Sequence, residues 1–180
     1  IDATHSHSAP ARYLTPARLG SSTGSDFVSL VMDSYDPDVE TRMATAIAAA
    51  AGQALDTLQP VSIGVATADG SDFNHDRRCQ NDGIYGPNYK NSTMTVIRVD
   101  AVDDSGMPTK PLTALLHFSE HGTALDRENT YFSTEANGGL ELYASDAIGV
   151  PVMYVQGSAG DVSPAQSPLG HEAMQDIERQ

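Results

Sequence analysis

The most informative part of the chain reads Leu112-Thr113-Ala114-Leu115-Leu116-His117-Phe118-Ser119-Glu120-His121-Gly122-Thr123. Its first seven residues are mostly apolar, as in a strand that is buried within a sheet. Pro111 precedes this run and Gly122 follows it, and both residue types oppose a helix here. We therefore expect a buried strand over residues 112–118, with His121 at its exit.

The flanking sequence predicts alternating strands and helices. Asp36-Pro37-Asp38 is typical of a helix start, because an aspartate caps the first turn and proline fits its first position. The helix after it carries an apolar stripe, which we expect to pack, and it ends before Pro60. Further strands are expected at residues 1–4, 61–67, Thr93–Val102 and 150–156, further helices at Glu135–Ile148 and 170–179, and a long loop at 71–92. This alternation predicts an α/β fold in which mixed β-sheet layers are covered by helices.

Composition and charge exclude several classes of function. The chain has 24 Asp and Glu against 10 Lys and Arg, and its formal net charge of −14 disfavours nucleic-acid and anionic-membrane surfaces. No apolar run reaches the roughly 20 residues that span a bilayer, so no transmembrane segment is expected. The lone Cys79 allows no internal disulfide. Because the chain opens at Ile1 without Met, we expect that a leader was removed or that the chain was cut from a longer polypeptide.

Two groups of histidines are candidates for metal binding. In His5-Ser6-His7-Ser8, an extended chain would project both imidazoles to one side, toward a single ion. His117 to His121 matches the H-x-x-E-H pattern of zinc peptidases, which requires both histidines on one helical face. Since a strand is expected here, His121 is the ligand candidate, and His117 is expected to face the core as a neutral, hydrogen-bonded residue.

A glycine-rich segment follows the last expected strand and reads Gln156-Gly157-Ser158-Ala159-Gly160-Asp161-Val162-Ser163-Pro164. Ligand crevices of α/β proteins form at the carboxyl ends of strands, and small residues there let backbone N–H groups approach a substrate. An ordinary glycine-rich turn is the alternative explanation. Ser163 lacks the G-x-S-x-G elbow of many serine hydrolases.

The order of these segments resembles the catalytic domain of the neutral/alkaline, non-lysosomal ceramidases. The family patterns are T-H-T-H-S-G-P, H-G-T and G-D-V-S-P-N. The matching segments here are Thr4-His5-Ser6-His7-Ser8, His121-Gly122-Thr123 and Gly160-Asp161-Val162-Ser163-Pro164. Each pattern is short, and their joint order is the specific part. The resemblance implies that residues 1–180 are a partial catalytic domain of twisted sheets covered by helices.

The resemblance also implies a zinc ion as cofactor. Zinc would be held by two histidines, which match His5 and His121, together with a glutamate and a tyrosine from sequence beyond this chain. His7 would lie beside the metal and beside the catalytic serine, which matches Ser163. Two protein ligands alone would make a weak zinc site, so we expect these 180 residues by themselves to bind metal poorly.

The chemistry that the resemblance implies is hydrolysis of a ceramide-like amide, N-acyl sphingosine, to a fatty acid and a sphingoid base. Zinc lowers the pKa of a bound water to about 7, which supplies the attacking hydroxide. His7 would pass a proton to the leaving amine, while Arg78, with Arg77 as the second choice, would stabilise negative charge on the intermediate. Asn74 matches the asparagine that precedes this arginine in the family. Ser163 is either a nucleophile or an anchor for a substrate hydroxyl, and anchoring is favoured because water already attacks.

Several departures from the family patterns touch the loops that would face a substrate. Ala9-Pro10 stands in place of Gly-Pro-Gly-Gly, Glu120 in place of a small residue, and Ala165 in place of an asparagine. Hydrolase chemistry is therefore better supported than ceramide as the substrate. The alternatives are an H-x-x-E-H zinc peptidase and a non-catalytic secreted binding protein on the same scaffold. We expect a secreted, periplasmic or extracellular protein, and no residue pattern indicates an oligomeric state.

Overall fold

Two units make up the chain in its computed structural model, one of residues 1–9 with 60–180 and the other of residues 10–59. The structure describes residues 2–10, 35–78, 90–125, 128–165, 170–172 and 174. Three expected elements therefore lie partly outside the described residues. They are the strand at residues 1–4, the long loop at 71–92 and the helix at 170–179. Within the described ranges, no helix combines the length and the apolar character that crossing a bilayer requires.

Helix α1, Pro37–Asp56, is the main described element of the smaller unit. The Asp36 side chain accepts a hydrogen bond from the Asp38 N–H at 3.0 Å, which confirms the expected helix start. At the other end, the Thr57 hydroxyl donates to the Gln53 carbonyl at 3.0 Å. None of the helix residues is buried, so the expected packing of the apolar stripe is not observed in the described part of the chain.

Strands and a second helix form the described part of the larger unit. They are β1 (Val61–Asp69), β2 (Asn74–Asp76), β3 (Thr93–Val102), β4 (Pro108–Phe118), α2 (Glu135–Ile148), β5 (Val152–Gln156) and β6 (Val162–Pro164). Four strands form one sheet in the order β1-β3-β4-β5, in which β4 and β5 are parallel and the other neighbours are antiparallel. β2 and β6 pair as a separate antiparallel ladder. The mixed sheet with its helix confirms the expected α/β class.

The core lies between α2 and the pair of strands β4 and β5. Five buried side chains form its centre: Ala114, Leu116, Phe118, Val152 and Tyr154. They alternate along each strand, because every second residue of a strand points to the same face. Leu140 and Ala144, four residues apart on α2, cover them. The Tyr154 hydroxyl donates to the Phe118 carbonyl at 2.8 Å, which satisfies the phenol inside the core.

Several local features differ from the expectation. β4 begins at Pro108 rather than at residue 112, and it accommodates Pro111 beside a register shift between Val99 and Asp100 of β3. Proline is tolerated at such an irregularity because no ladder N–H is needed there. Residues 2–4 are not in a strand. The short ladder of β2 and β6 forms where the sequence predicts a loop and a turn.

Phe118→Ala is expected to lower the free energy of unfolding by about 3–5 kcal/mol, because it removes a fully buried ring from the core. Phe132→Ala makes the same change at a ring that is 80% exposed, so it should alter stability by less than about 0.5 kcal/mol. Urea denaturation followed by circular dichroism measures both variants. Equal losses of stability would contradict the placement of the core on β4.

Candidate metal centre

The parallel pairing of β4 with β5 brings two loops to one edge of the sheet. Phe118 and Gln156, the last residues of the two strands, are register partners. The exit of β4 continues to His121 and the exit of β5 to the glycine-rich segment, so both lie at carboxyl ends, where α/β proteins form ligand sites. The His121 N–H donates to the Val162 carbonyl at 3.2 Å, which ties the two loops together.

Three histidines converge at this edge. His5, His7 and His121 offer nitrogen atoms that all lie within 4.8 Å of one another. The Nε2 atoms of His7 and His121 are 3.0 Å apart, and the ring centroids of His5 and His121 are 4.4 Å apart. His5 and His121, which the resemblance assigns as ligands, are therefore close enough to share one ion. We call these three residues the histidine cluster.

The histidine loop, residues 5–8, reaches this position through a turn and not as an extended chain. His5 has a φ of 58°, in the left-handed region, and a turn follows at residues 7 and 8. The expectation that an extended chain projects both imidazoles to one side is therefore wrong. The reversal of the backbone brings the rings of His5 and His7 within 5.1 Å of each other instead.

Gly122 permits the close approach of the histidine loop to the segment that carries His121. The His7 N–H donates to the Gly122 carbonyl at 3.0 Å. A Cβ at position 122 would lie 2.8 Å from the His5 carbonyl oxygen and 2.9 Å from the Ser6 Cα. Both distances are shorter than a normal contact, so the packing of two backbones requires the glycine of H-G-T.

His121 is held in the tautomer that suits a metal ligand. Its Nδ1 lies 2.7 Å from the Ala159 carbonyl oxygen, so Nδ1 carries the proton and the Nε2 lone pair faces His7. Metal-binding histidines commonly donate their second N–H to a backbone carbonyl in this way. The Arg77 Nη2 also lies 3.2 Å from Nδ1. Both atoms are donors in this tautomer, so this approach is a contact and not a hydrogen bond.

Desolvation and neighbouring groups lower the pKa of His7 and the pKa of His121. Partial removal from water is the main cause for both rings; His5 and then Arg77 lower the pKa of His7 further, and Arg77 also lowers that of His121. The Ala159 carbonyl partly opposes this by raising the pKa of His121. An imidazole with a lowered pKa is unprotonated at neutral pH, which is the form that binds a metal ion.

The donor set fits the zinc ion that the resemblance implies. Zinc–nitrogen bonds of about 2.0–2.1 Å in a tetrahedral site place two ligand nitrogens about 3.3 Å apart. The ligand nitrogens of His5 and His121 belong to a set that lies within 4.8 Å of one another, and their ring centroids are 4.4 Å apart, so small rotations of the two rings would bring them to this separation. Imidazole nitrogens are preferred zinc ligands, and within the described residues the cluster contains histidines alone.

Arg77 is the arginine whose guanidinium contacts the histidine cluster. Its Nη2 donates to the Gly160 carbonyl at 2.7 Å and lies beside His121. Arg78 is exposed, and its N–H donates to the Asp76 carboxylate at 2.6 Å. The structure therefore brings the second choice of the sequence analysis to the cluster and leaves the first choice at the surface.

Ser163 lies on β6, directly after the Val162 carbonyl that accepts the hydrogen bond from His121. Its register partner on β2 is His75, and both side chains are half-buried. Directly opposite residues of an antiparallel ladder share one face and lie within side-chain reach. His75 is thus a neighbour of Ser163 that the sequence analysis missed, because this pairing has no local pattern.

Asn74 and His117 are not members of the histidine cluster. Asn74 is fully buried on β2, and its side chain donates to the Ser119 carbonyl at 2.7 Å, so it braces the exit of β4. His117 is half-buried on β4, which meets the expectation of a core residue only in part. The residues between His117 and His121 are not helical, so the two do not share a helical face. The zinc-peptidase alternative therefore loses its geometric basis.

Glu120 is a buried carboxyl group that the sequence analysis treats only as a departure from the family pattern. It is fully buried, and neither carboxyl oxygen has a hydrogen-bond partner among the described residues. Burial, followed by the negative charge of Glu135, raises its pKa to about 8. Glu120 is therefore mostly neutral at pH 7. A charged residue two positions after the end of an apolar strand is the signal that could have singled it out.

Comparison with solved structures shows that the chain has a neutral-ceramidase-like fold. A neutral ceramidase from Pseudomonas aeruginosa matches with a TM-score of 0.65 and 18% identity over 81% of this chain and 25% of that chain. A ceramidase complexed with C2 matches with a TM-score of 0.75 and 19% identity over 99% of this chain and 28% of that chain. The chain thus spans about a quarter of the length of these ceramidases. No family model and no curated protein matches the sequence.

Glu120→Gln is expected to flatten the pH dependence of stability in the metal-free protein. A carboxyl group whose pKa is raised on folding binds its proton more tightly in the folded state, so stability falls as the pH rises from about 4.5 to about 8. The slope from one such group is at most about 1.4 kcal/mol per pH unit. Urea unfolding across this range measures both proteins. An equally steep fall in the variant would contradict a buried, neutral Glu120.

Proposed function

We propose that this chain carries part of the active site of a zinc-dependent amide hydrolase that acts on a ceramide-like lipid amide. One observation carries the proposal: the Nε2 atoms of His7 and His121 are 3.0 Å apart, and the ring of His5 lies 4.4 Å from that of His121. The neutral-ceramidase-like fold supports it, because the three sequence motifs of the resemblance meet at one edge of this fold.

His5 and His121 are the residues that would bind the zinc ion. The His121 tautomer and the neutral state of its ring support this role. The glutamate and tyrosine that the resemblance also implies would complete the metal site, since the cluster formed by the described residues holds histidines alone. When bound, zinc supplies Lewis acidity, which lowers the pKa of water and polarises the amide carbonyl.

His7 would move the proton. The residue is exposed to solvent, and its Nε2 lies 3.0 Å from the Nε2 of His121. Its lowered pKa favours the neutral ring at neutral pH, and once the Nε2 of His121 is engaged by zinc, the Nε2 of His7 would be free to accept a proton from the attacking water. The same nitrogen then donates this proton to the leaving amine.

Arg77 takes the place of Arg78 as the group that stabilises negative charge on the reacting carbonyl oxygen. Its guanidinium is fixed by the hydrogen bond to the Gly160 carbonyl and lies beside His121. A donor that is already oriented needs no rearrangement when charge develops. Ser163, on the neighbouring strand β6, would anchor a substrate hydroxyl.

A lipid-like amide is the substrate class that we propose. The similar structures are ceramidases, one of them complexed with C2. The net charge of −14 gives no support to a polyanionic substrate. Secretion remains part of the proposal on the strength of the sequence resemblance. A non-catalytic binding protein on this fold is the competing function. The departures at Glu120 and Ala165 bear on the identity of the substrate and leave the histidine cluster intact.

The full-length protein is expected to contain zinc and to hydrolyse N-acyl sphingosine, and a chelator should abolish this activity. His5→Ala and His121→Ala should lose zinc, whereas His7→Ala should keep it and lower kcat by about 10²–10⁴-fold. His117→Phe is the control and should keep both zinc and activity. Elemental analysis and fatty-acid release are the measurements. Zinc without hydrolysis would favour the binding protein, and full activity in the absence of metal would refute the proposal.

Arg77→Ala is expected to lower kcat/KM by about 10²–10³-fold, because it removes a donor that faces the developing charge. Arg78→Ala removes the same charge from an exposed position one residue away, and its kcat/KM should stay close to the wild-type value. Steady-state hydrolysis by both variants makes the comparison. A larger loss in Arg78→Ala would return the role to Arg78.

A further inference from the structure

We infer that Glu135 is a positioning residue that holds the two ligand-bearing loops in register. This inference rests on the proposed function, since it concerns how the histidine cluster is kept in place. Glu135 is the first residue of α2, and only 1% of its surface is exposed. In the sequence, Glu135 is recognisable only as the start of a helix.

The Glu135 carboxylate joins the two loops directly. One oxygen, Oε1, accepts a hydrogen bond from the Ser8 hydroxyl at 2.8 Å, and Oε2 accepts one from the Leu125 N–H at 2.8 Å. Ser8 directly follows His7, and Leu125 lies four residues after His121. One buried side chain therefore connects the loop of His7 with the loop of His121.

Ser133, two residues before the start of α2, strengthens this connection. The Ser6 hydroxyl donates to the Ser133 carbonyl at 2.9 Å, and the Ser133 N–H donates to the Ser8 carbonyl at 3.0 Å. The Ser133 hydroxyl in turn accepts from the Glu135 N–H at 3.0 Å. Ser133 and Glu135 thus form hydrogen bonds with Ser6 and Ser8, the two residues that alternate with the histidines of the loop.

The backbone of Glu135 is strained to make these contacts. Its φ is 58°, a left-handed value that is unfavourable for a residue with a side chain. Such strain persists where surrounding contacts impose it, and it is common at functional sites. Burial also raises the pKa of this carboxyl, while the hydrogen bonds from Leu125 and Ser8 oppose the rise. The backbone conformation and the burial of the carboxyl group are both unfavourable for Glu135 itself, whereas its side-chain hydrogen bonds connect the two loops.

Zinc affinity and amide hydrogen exchange of the full-length protein test this inference. Glu135→Ala removes both contacts, whereas Glu135→Gln keeps the shape and an acceptor oxygen. Asp146→Ala is the matched control, because it removes an exposed acidic residue from the same helix. Zinc affinity is measured by competition with a chelating dye. In the metal-free protein, exchange of the His7 amide, which donates to the Gly122 carbonyl, reports whether the loops stay together.

Glu135→Ala is expected to weaken zinc binding by about 10–100-fold, to accelerate exchange of the His7 amide, and to leave the amides of β4 unchanged. Glu135→Gln should recover most of the affinity, and Asp146→Ala should match the wild type. Unchanged zinc affinity together with unchanged exchange of the His7 amide in Glu135→Ala would overturn the inference. If Glu135→Ala does not fold, Ser8→Ala removes one of the two contacts and must show the same changes in smaller measure, and wild-type behaviour there would equally overturn it.

If the proposed function is wrong, the same measurements of zinc binding and amide exchange give a different result. In that case the wild-type protein binds no zinc, while exchange of the His7 amide still accelerates in Glu135→Ala, and the positioning role stands without the metal. If the wild type binds zinc and the Glu135 variants neither bind less tightly nor exchange faster, the metal centre stands and the positioning role is refuted.

Discussion

The parallel pairing of β4 with β5 is the constraint on which the site depends. Parallel strands end on the same side of a sheet, so the residues after Phe118 and after Gln156 leave it next to each other. An antiparallel pairing would send the His121 segment and the glycine-rich segment to opposite edges. The pair is held by a continuous apolar face under α2 and by the Tyr154 hydroxyl. Apolar packing, rather than the polar residues of the site, therefore sets where the site lies.

Much of this framework can be predicted from the sequence where the local pattern is strong. β3 and α2 have the expected bounds, Thr93–Val102 and Glu135–Ile148. A run of β-branched residues and a segment that is closed by the left-handed Gly149 need little support from the rest of the chain. β2 and β6 could not be predicted in this way, because three residues form a strand only by pairing with a distant segment.

The residues of the candidate site also differ in how well the sequence predicts them. Short motifs are enough to single out the three histidines, because a few rare residues in a fixed order stand out in a sequence. Whether Arg77 or Arg78 faces the cluster depends on how the chain leaves β2. The contact of Glu135 with Ser8 joins residues 127 positions apart, and such a contact has no counterpart in any local pattern. The candidate residues are thus visible in the sequence, whereas the contacts that hold them in place are visible only in the fold.

The backbone contact at Gly122 sets a limit on how far this site can adapt. Hydrogen bonds between side chains stretch and rotate at small cost, but repulsion between touching atoms rises steeply as they approach. The His5 carbonyl and the Ser6 Cα already occupy the space that a methyl group at position 122 would need. The closest approach of these two backbone segments is therefore fixed by the main chain. Changes in the surrounding side chains, Glu135 among them, can loosen this approach, but they cannot make it closer.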